Sequence, residues 1–133
     1  MSIMELKILY NQIEKFLDDY TAIEKFKIGK TENVEDREDD YYIDGYNFVF
    51  PLCSGEKDSI SQTEKDLIKY FTETSRHKEK CENEQQGGGS PNADTLYIAV
   101  KIKDPSVNDL NIKEYISDKY FSNQHIQTKK EQN

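Results

Sequence analysis

Histidine, cysteine and long apolar runs are all scarce in this 133-residue chain. The two histidines, His77 and His125, are few for chemistry built on the commonest near-neutral general base. Each falls in a polar stretch, where a rigid desolvated pocket is not expected. Cys53 and Cys81 have no paired spacing, which fits free thiols in a reducing compartment. His77 and Cys81 lie four apart and make half of a zinc site, but no second Cys or His pair completes the set. No run of about twenty apolar residues is present to span a membrane. The opening Met1-Ser2-Ile3-Met4-Glu5 lacks the basic and apolar regions of a secretory signal. The expectation is a soluble intracellular protein with no metal and no cofactor.

What is abundant is charge. A third of the residues are charged, the net charge is −8, and the apolar fraction is 35%. Such acidity repels phosphates and argues against autonomous nucleic-acid binding. It suits a basic partner surface, or simply keeps the protein soluble. The length fits one domain, expected over residues 1–121, able to bury roughly two-thirds of its unfolded surface. A linker-like insert is expected at 82–94 and a disordered tail at 122–133.

Two short apolar runs, Tyr46–Leu52 and Thr95–Ile102, are the candidates for the central strands of a core. Before them, Leu6, Leu9, Tyr10, Ile13, Phe16, Leu17 and Tyr20 form the stripe of an amphipathic helix, with Ser2 and Glu5 as its capping box. A strand over Ile23–Ile28 follows, closed by Gly29. Residues 30–40, mostly acidic, read as a solvated loop. In the next segment, aromatic and β-branched residues flank Asp44-Gly45, which predicts a tight hairpin. An EF-hand reading fails there, because Tyr42, Asn47 and Pro51 stand where a ligand, an apolar anchor and the bidentate Glu belong. Pro51 ends its strand or lies at a sheet edge.

Ser61-Gln62-Thr63-Glu64 predicts a second capping box, opening a helix to about residue 80 with Ile60, Leu67, Ile68 and Phe71 buried. Residues 75–86 are too polar to pack, so the helix is expected to fray or project into water there. Gly87-Gly88-Gly89-Ser90 reads as a flexible seam, far from the core. Leu110–Phe121 suits a strand through Leu110, Ile112 and Ile116, or a helix capped by Asn111. The strand is preferred for 110–116. The expected fold is therefore α+β, with a small mixed or antiparallel sheet. An N-terminal and a central helix pack on it, in the order helix, three strands, helix, two strands.

Catalytic signatures are missing from the sequence. The triple glycine lacks the Lys-Ser/Thr of a phosphate-binding loop, and no nucleophile elbow occurs. Acidic pairs such as Asp18/Asp19 and Asp39/Asp40 lie in polar stretches. The nine tyrosines suit either strands or a protein interface. The expectation is a protein that is not an enzyme.

The order of landmarks carries a resemblance. A helix ends in Tyr20 and leads into a short strand (Ile23–Ile28). A strand then ends in Pro51-Leu52, a capped helix and a variable insert follow, and Leu96-Tyr97-Ile98-Ala99-Val100 leads through Lys103-Asp104-Pro105-Ser106 to an apolar segment ending at Ile116. Together these resemble the small non-catalytic subunit of eukaryotic tRNA-splicing endonuclease, which has a nuclease-type α/β domain without the active site. The resemblance implies a nuclear structural subunit of a four-subunit complex, paired with a catalytic subunit, or with its own copy, through its C-terminal strands. It implies a partner surface at Tyr97, Ile98, Val100, Leu110, Ile112 and Ile116. The family closes its long strand with a second β-branched, tyrosine-rich strand, whereas Leu110–Ile116 here also suits a helix. Rival readings are a small α+β adaptor of a kinetochore or chromatin assembly, and an acidic inhibitor or immunity-type protein using Glu32–Asp40 as bait.

Overall fold

The computed structural model describes residues 3–84, 90–103 and 110–121. In chain order its elements are α1 (Ile3–Asp19), β1 (Ile23–Thr31), α2 (Val34–Ile43), β2 (Phe48–Ser54), α3 (Lys57–Glu73), a 3-10 turn (Lys78–Lys80), β3 (Thr95–Ile102) and α4 (Leu110–Tyr120). The three strands form one antiparallel sheet in the order β1-β3-β2, so the last strand is the central one. This is an α+β fold, as the two apolar runs imply.

β3 reads as an almost unbroken apolar run because both of its faces are covered. Leu96, Ile98, Val100 and Ile102 face the larger core, with Phe16 of α1, Leu67 and Phe71 of α3, and Ile116 and Phe121 at α4. Tyr97 and Ala99 face the opposite way, into a smaller cluster with Tyr46 and Val49, against Val34 and Tyr41 of α2. A connected set of aromatic rings runs through the larger core. Phe16 lies 5.2 Å from Phe121, 5.4 Å from Tyr120 and 6.1 Å from Phe50, and Phe26 meets Phe71 edge-on at 5.8 Å. Helix α4 reaches from one face of the sheet to the other. Its Tyr120 hydroxyl donates to Asp19 of α1, and its Lys113 ammonium donates to Glu38 of α2.

Several expectations are corrected. Residues 34–43 are neither a loop nor the arm of a hairpin, but helix α2. Asn33 caps it by accepting the Asp36 N–H, and Glu35 and Asp36 sit favourably at its positive end. Gly45 supplies the positive φ of 91° that follows the helix end, and the Tyr46 N–H returns to the Tyr41 carbonyl. The Asp-Gly pair thus stops a helix rather than turning a hairpin.

Strand β1 runs through Gly29 to Thr31. Helix α3 begins at Lys57, with the Glu56 side chain as its cap, so the Ser61–Glu64 box lies inside it. It ends at Glu73. Residues 110–116 belong to helix α4, not a strand, because Ile112, Ile116 and Tyr120 recur every fourth residue and press one face onto the core. Pro51 is tolerated within β2 because that strand is at the sheet edge.

Residues 75–84 are only partly in water. Lys78, Glu79 and Glu84 are exposed, whereas Ser75, Arg76, His77 and Asn83 find polar partners in the fold and Cys81 bridges Phe26 alongside β1. Ser2, the Gly87–Gly89 run and the 122–133 tail lie outside the described residues.

Candidate functional site

β1 is one edge of the sheet, and the described residues take up only part of its outer side. The Glu82 N–H donates to the Phe26 carbonyl at 2.8 Å. The Asn83 carboxamide then accepts the Ile28 N–H and donates to the Ile28 carbonyl, each at 2.8 Å. One side chain thus performs both tasks of a neighbouring strand's peptide group. Beyond Ile28, the margin of β1 opens into a cleft of about 520 Å³. Gly29, Lys30 and Lys27 of β1 line it, with Arg37 and Tyr41 of α2, Glu64 and Ile68 of α3, and Tyr97 of β3. Since α2 and α3 cover opposite faces of the sheet, the cleft wraps around its edge.

The alternation of a strand assigns each wall. Lys30 points to the same side as Ile28, toward α3, where its ammonium donates to Ser61 Oγ at 2.7 Å. One turn further along α3 lies Glu64, only 2% exposed. Its Oε1 is buried and accepts no hydrogen bond among the described residues. Burial pushes the carboxyl up to about 7, against the pull of the Lys30 and Lys65 charges.

Gly29 faces the other way, and its lack of a side chain is a packing requirement. A Cβ there would stand 2.3 Å from the Tyr97 hydroxyl oxygen. That hydroxyl lies 3.0 Å from the Tyr41 hydroxyl, and burial, then Tyr41, raises the Tyr97 phenol above its ordinary range. Gly29→Ala should therefore cost about 1–3 kcal/mol in urea unfolding, because Tyr97 cannot move without leaving its cluster. A loss below 0.5 kcal/mol, taken as roughly the scatter of surface substitutions, would show that the ring shifts freely.

A second polar cluster clamps α1 to the end of α3. The Ser75 hydroxyl donates to Glu14, whose Oε2 also lies 2.6 Å from an Arg76 nitrogen as an ion pair. Arg76 donates through Nε to Asp18 at 2.9 Å, and His77 Nε2 lies 2.7 Å from the same carboxylate. Hydrogen bonds from Arg76 and then His77 hold the Asp18 carboxyl down at about 2. His77 is more enclosed than its sequence context implies, with a side chain 14% exposed. The groups around it form a staple. Ser75 Oγ accepts the His77 main-chain N–H and directs its proton to Glu14, so it is not held as a nucleophile against the ring.

Of the six residues expected at a partner surface, Tyr97 forms a wall of the cleft. Ile98, Val100 and Ile116 are fully buried in the chain's own core, and Ile112 is partly buried against it. The Leu110 side chain lies outside the described residues. Both edges of β3 are paired, so the accessible margins of the sheet belong to β1 and β2.

Sequence reasoning missed Glu64, Lys30 and Gly29. Two signals were present: Glu64 falls in phase with the apolar stripe of Ile60, Leu67, Ile68 and Phe71, and Gly29 sits inside a strand, between Ile28 and Lys30. Among the described residues, no group of three His, Cys, Asp or Glu side chains is placed to hold a metal ion. None of the helices among them is long and apolar enough to cross a membrane. Comparison with protein-family models, with curated proteins and with solved structures finds no match for this chain.

Proposed function

We infer that the chain is a non-catalytic binding module that docks a protein partner at the margin of β1. The observation that carries this reading is Glu64, a buried carboxylate with an unpartnered oxygen that lines a cleft beside an edge strand. A buried oxygen without a donor among the described residues is costly, and a partner that supplies one is stabilised there. The surrounding polar groups support binding as well. Lys30 and the Tyr41–Tyr97 pair are held in place by bonds within the fold, so the cleft is pre-organised.

A second reading draws on the same carboxyl. A group titrating near 7 suits general acid–base work, which would make the cleft catalytic. Affinity capture from source-cell extract, read by mass spectrometry, separates the two. The wild-type chain is expected to retain a defined set of proteins, and Arg37→Glu at the cleft rim to lose them about tenfold with unchanged circular dichroism. An identical set with both chains removes the docking role from this cleft. Substrate turnover that Glu64→Gln abolishes, with capture unchanged, assigns the cleft to catalysis.

A narrower form of the docking proposal is a structural subunit of tRNA-splicing endonuclease. It rests on the order of sequence landmarks, the last of which is helical in this chain. That form requires nuclease-fold proteins and precursor-tRNA cleavage activity among the captured material.

A further inference from the structure

The charges of the cleft run against those of the chain. A protein of net charge −8 gathers Lys27, Lys30 and Arg37 around this one space, against the carboxylates Glu64 and Glu84. A free cation would meet more positive than negative charge. A multiply charged phosphate would meet Glu64 and Glu84. The balance suits a single negative charge joined to a hydrogen-bond donor. The donor belongs at Glu64 Oε1, which accepts nothing among the described residues. The anion belongs at Arg37, whose ion pair with Asp40 is long at 3.4 Å and exposed, and so exchanges at little cost. Its planar fork matches a carboxylate with two parallel hydrogen bonds. Ile68, buried on α3, supplies an apolar wall.

We propose that this cleft receives the C-terminal residue of an extended peptide, with its main-chain N–H on Glu64, its carboxylate on Arg37 and Lys30, and an apolar side chain against Ile68. In such a residue the donor and the anion are separated by one Cα. The volume lies within the roughly 300–1,000 Å³ of small-ligand sites. Gly29 lines the cleft without a side chain of its own, the Tyr97 ring filling the space where one would stand.

The same chemistry, a carboxylate beside an N–H, is offered by a free amino acid, and the test distinguishes the two. Full-length ¹⁵N-labelled chain is titrated with acetyl-Gly-Gly-Leu, with its C-terminal amide, and with free leucine. The free acid should move the resonances of Gly29, Lys30 and Glu64. The amide should bind at least about tenfold more weakly, because the anion is gone. Glu64→Met and Arg37→Gln should each weaken the acid by about tenfold, and the exposed position of Arg37 keeps the second variant informative if the first folds poorly.

Equal binding of acid and amide, or no shift at millimolar peptide, overturns the proposal. Free leucine binding as tightly as the peptide overturns the peptide terminus in favour of an amino acid. The inference rests on the docking reading for its biological sense. If Arg37→Glu abolishes capture while the peptide acid does not bind, docking stands and the C-terminal chemistry falls.

Discussion

Replacing Phe16 with alanine is expected to remove about 3–5 kcal/mol of stability, the largest single loss foreseen for this chain. Phe16 is fully buried, and its ring meets Phe50 of β2, Tyr120 of α4, Phe121 just beyond it and Tyr20 beyond α1. Truncation removes the transfer free energy of the ring. It also leaves a cavity bounded by other rings, which cannot collapse into it without abandoning their own contacts, such as the stacking of Phe50 on Phe121. A domain of this size has total stability on the order of 5–15 kcal/mol, so the variant should be close to unfolding. Urea denaturation should show a lower midpoint with an unchanged slope. Ile8→Ala on the same helix, 49% exposed, should change stability by less than about 0.5 kcal/mol. A Phe16→Ala loss under about 1 kcal/mol would mean that the aromatic cluster relaxes far more than close packing allows.

Glu64→Gln is expected to stabilise the chain at pH 8 and to leave it unchanged near pH 4. The Glu64 carboxyl is raised from 4.5 to about 7, first by burial, so the folded chain keeps a proton that the unfolded chain has released. Between those two values the folded state binds more protons, and the parent loses stability as pH rises. The full shift corresponds to about 3 kcal/mol, lost by pH 8. Glutamine resembles the neutral acid in size and does not titrate, so the variant avoids that loss. Thermal unfolding at pH 4, 6 and 8 should therefore show a gap that widens toward high pH, to several degrees. The Asp18 carboxyl, held at about 2, acts with the opposite sign and in another range. It stabilises the fold above 3.8 and is lost as pH falls through 2, so it does not blur the Glu64 window. A destabilised Glu64→Gln at pH 8 would mean that the ionised carboxylate has a partner within the fold.

The two largest expected effects come from residues of different legibility. Phe16 belongs to a helical stripe visible in the sequence, and its burial needed no coordinates to foresee. Glu64 reads in isolation as a capping residue, since a glutamate three after a serine is common at helix starts. Its burial depends on Glu56 capping the helix two turns earlier, and on β1 bringing Lys30 against Ser61. Neither fact is local. The same holds for Gly29, which reads as the end of a strand until Tyr97, 68 positions on, lies across from it in register. The segment 75–83 is a further case. Its polarity excludes burial against apolar surface, yet Glu14 and Asp18 on α1 and the backbone of β1 give it partners that no window of sequence contains.

The sequence alone determined the α1 stripe, the two apolar strand runs and the class of fold, because each depends on hydrophobic periodicity within one short segment. Tertiary structure decided that 34–43 and 110–120 are helices, that the last strand is central, and that two carboxylates, three cations and two tyrosines converge at one edge. Those outcomes depend on which surfaces remain to be covered once the sheet has formed. That competition among distant segments overrides weak local preference wherever a run suits both helix and strand.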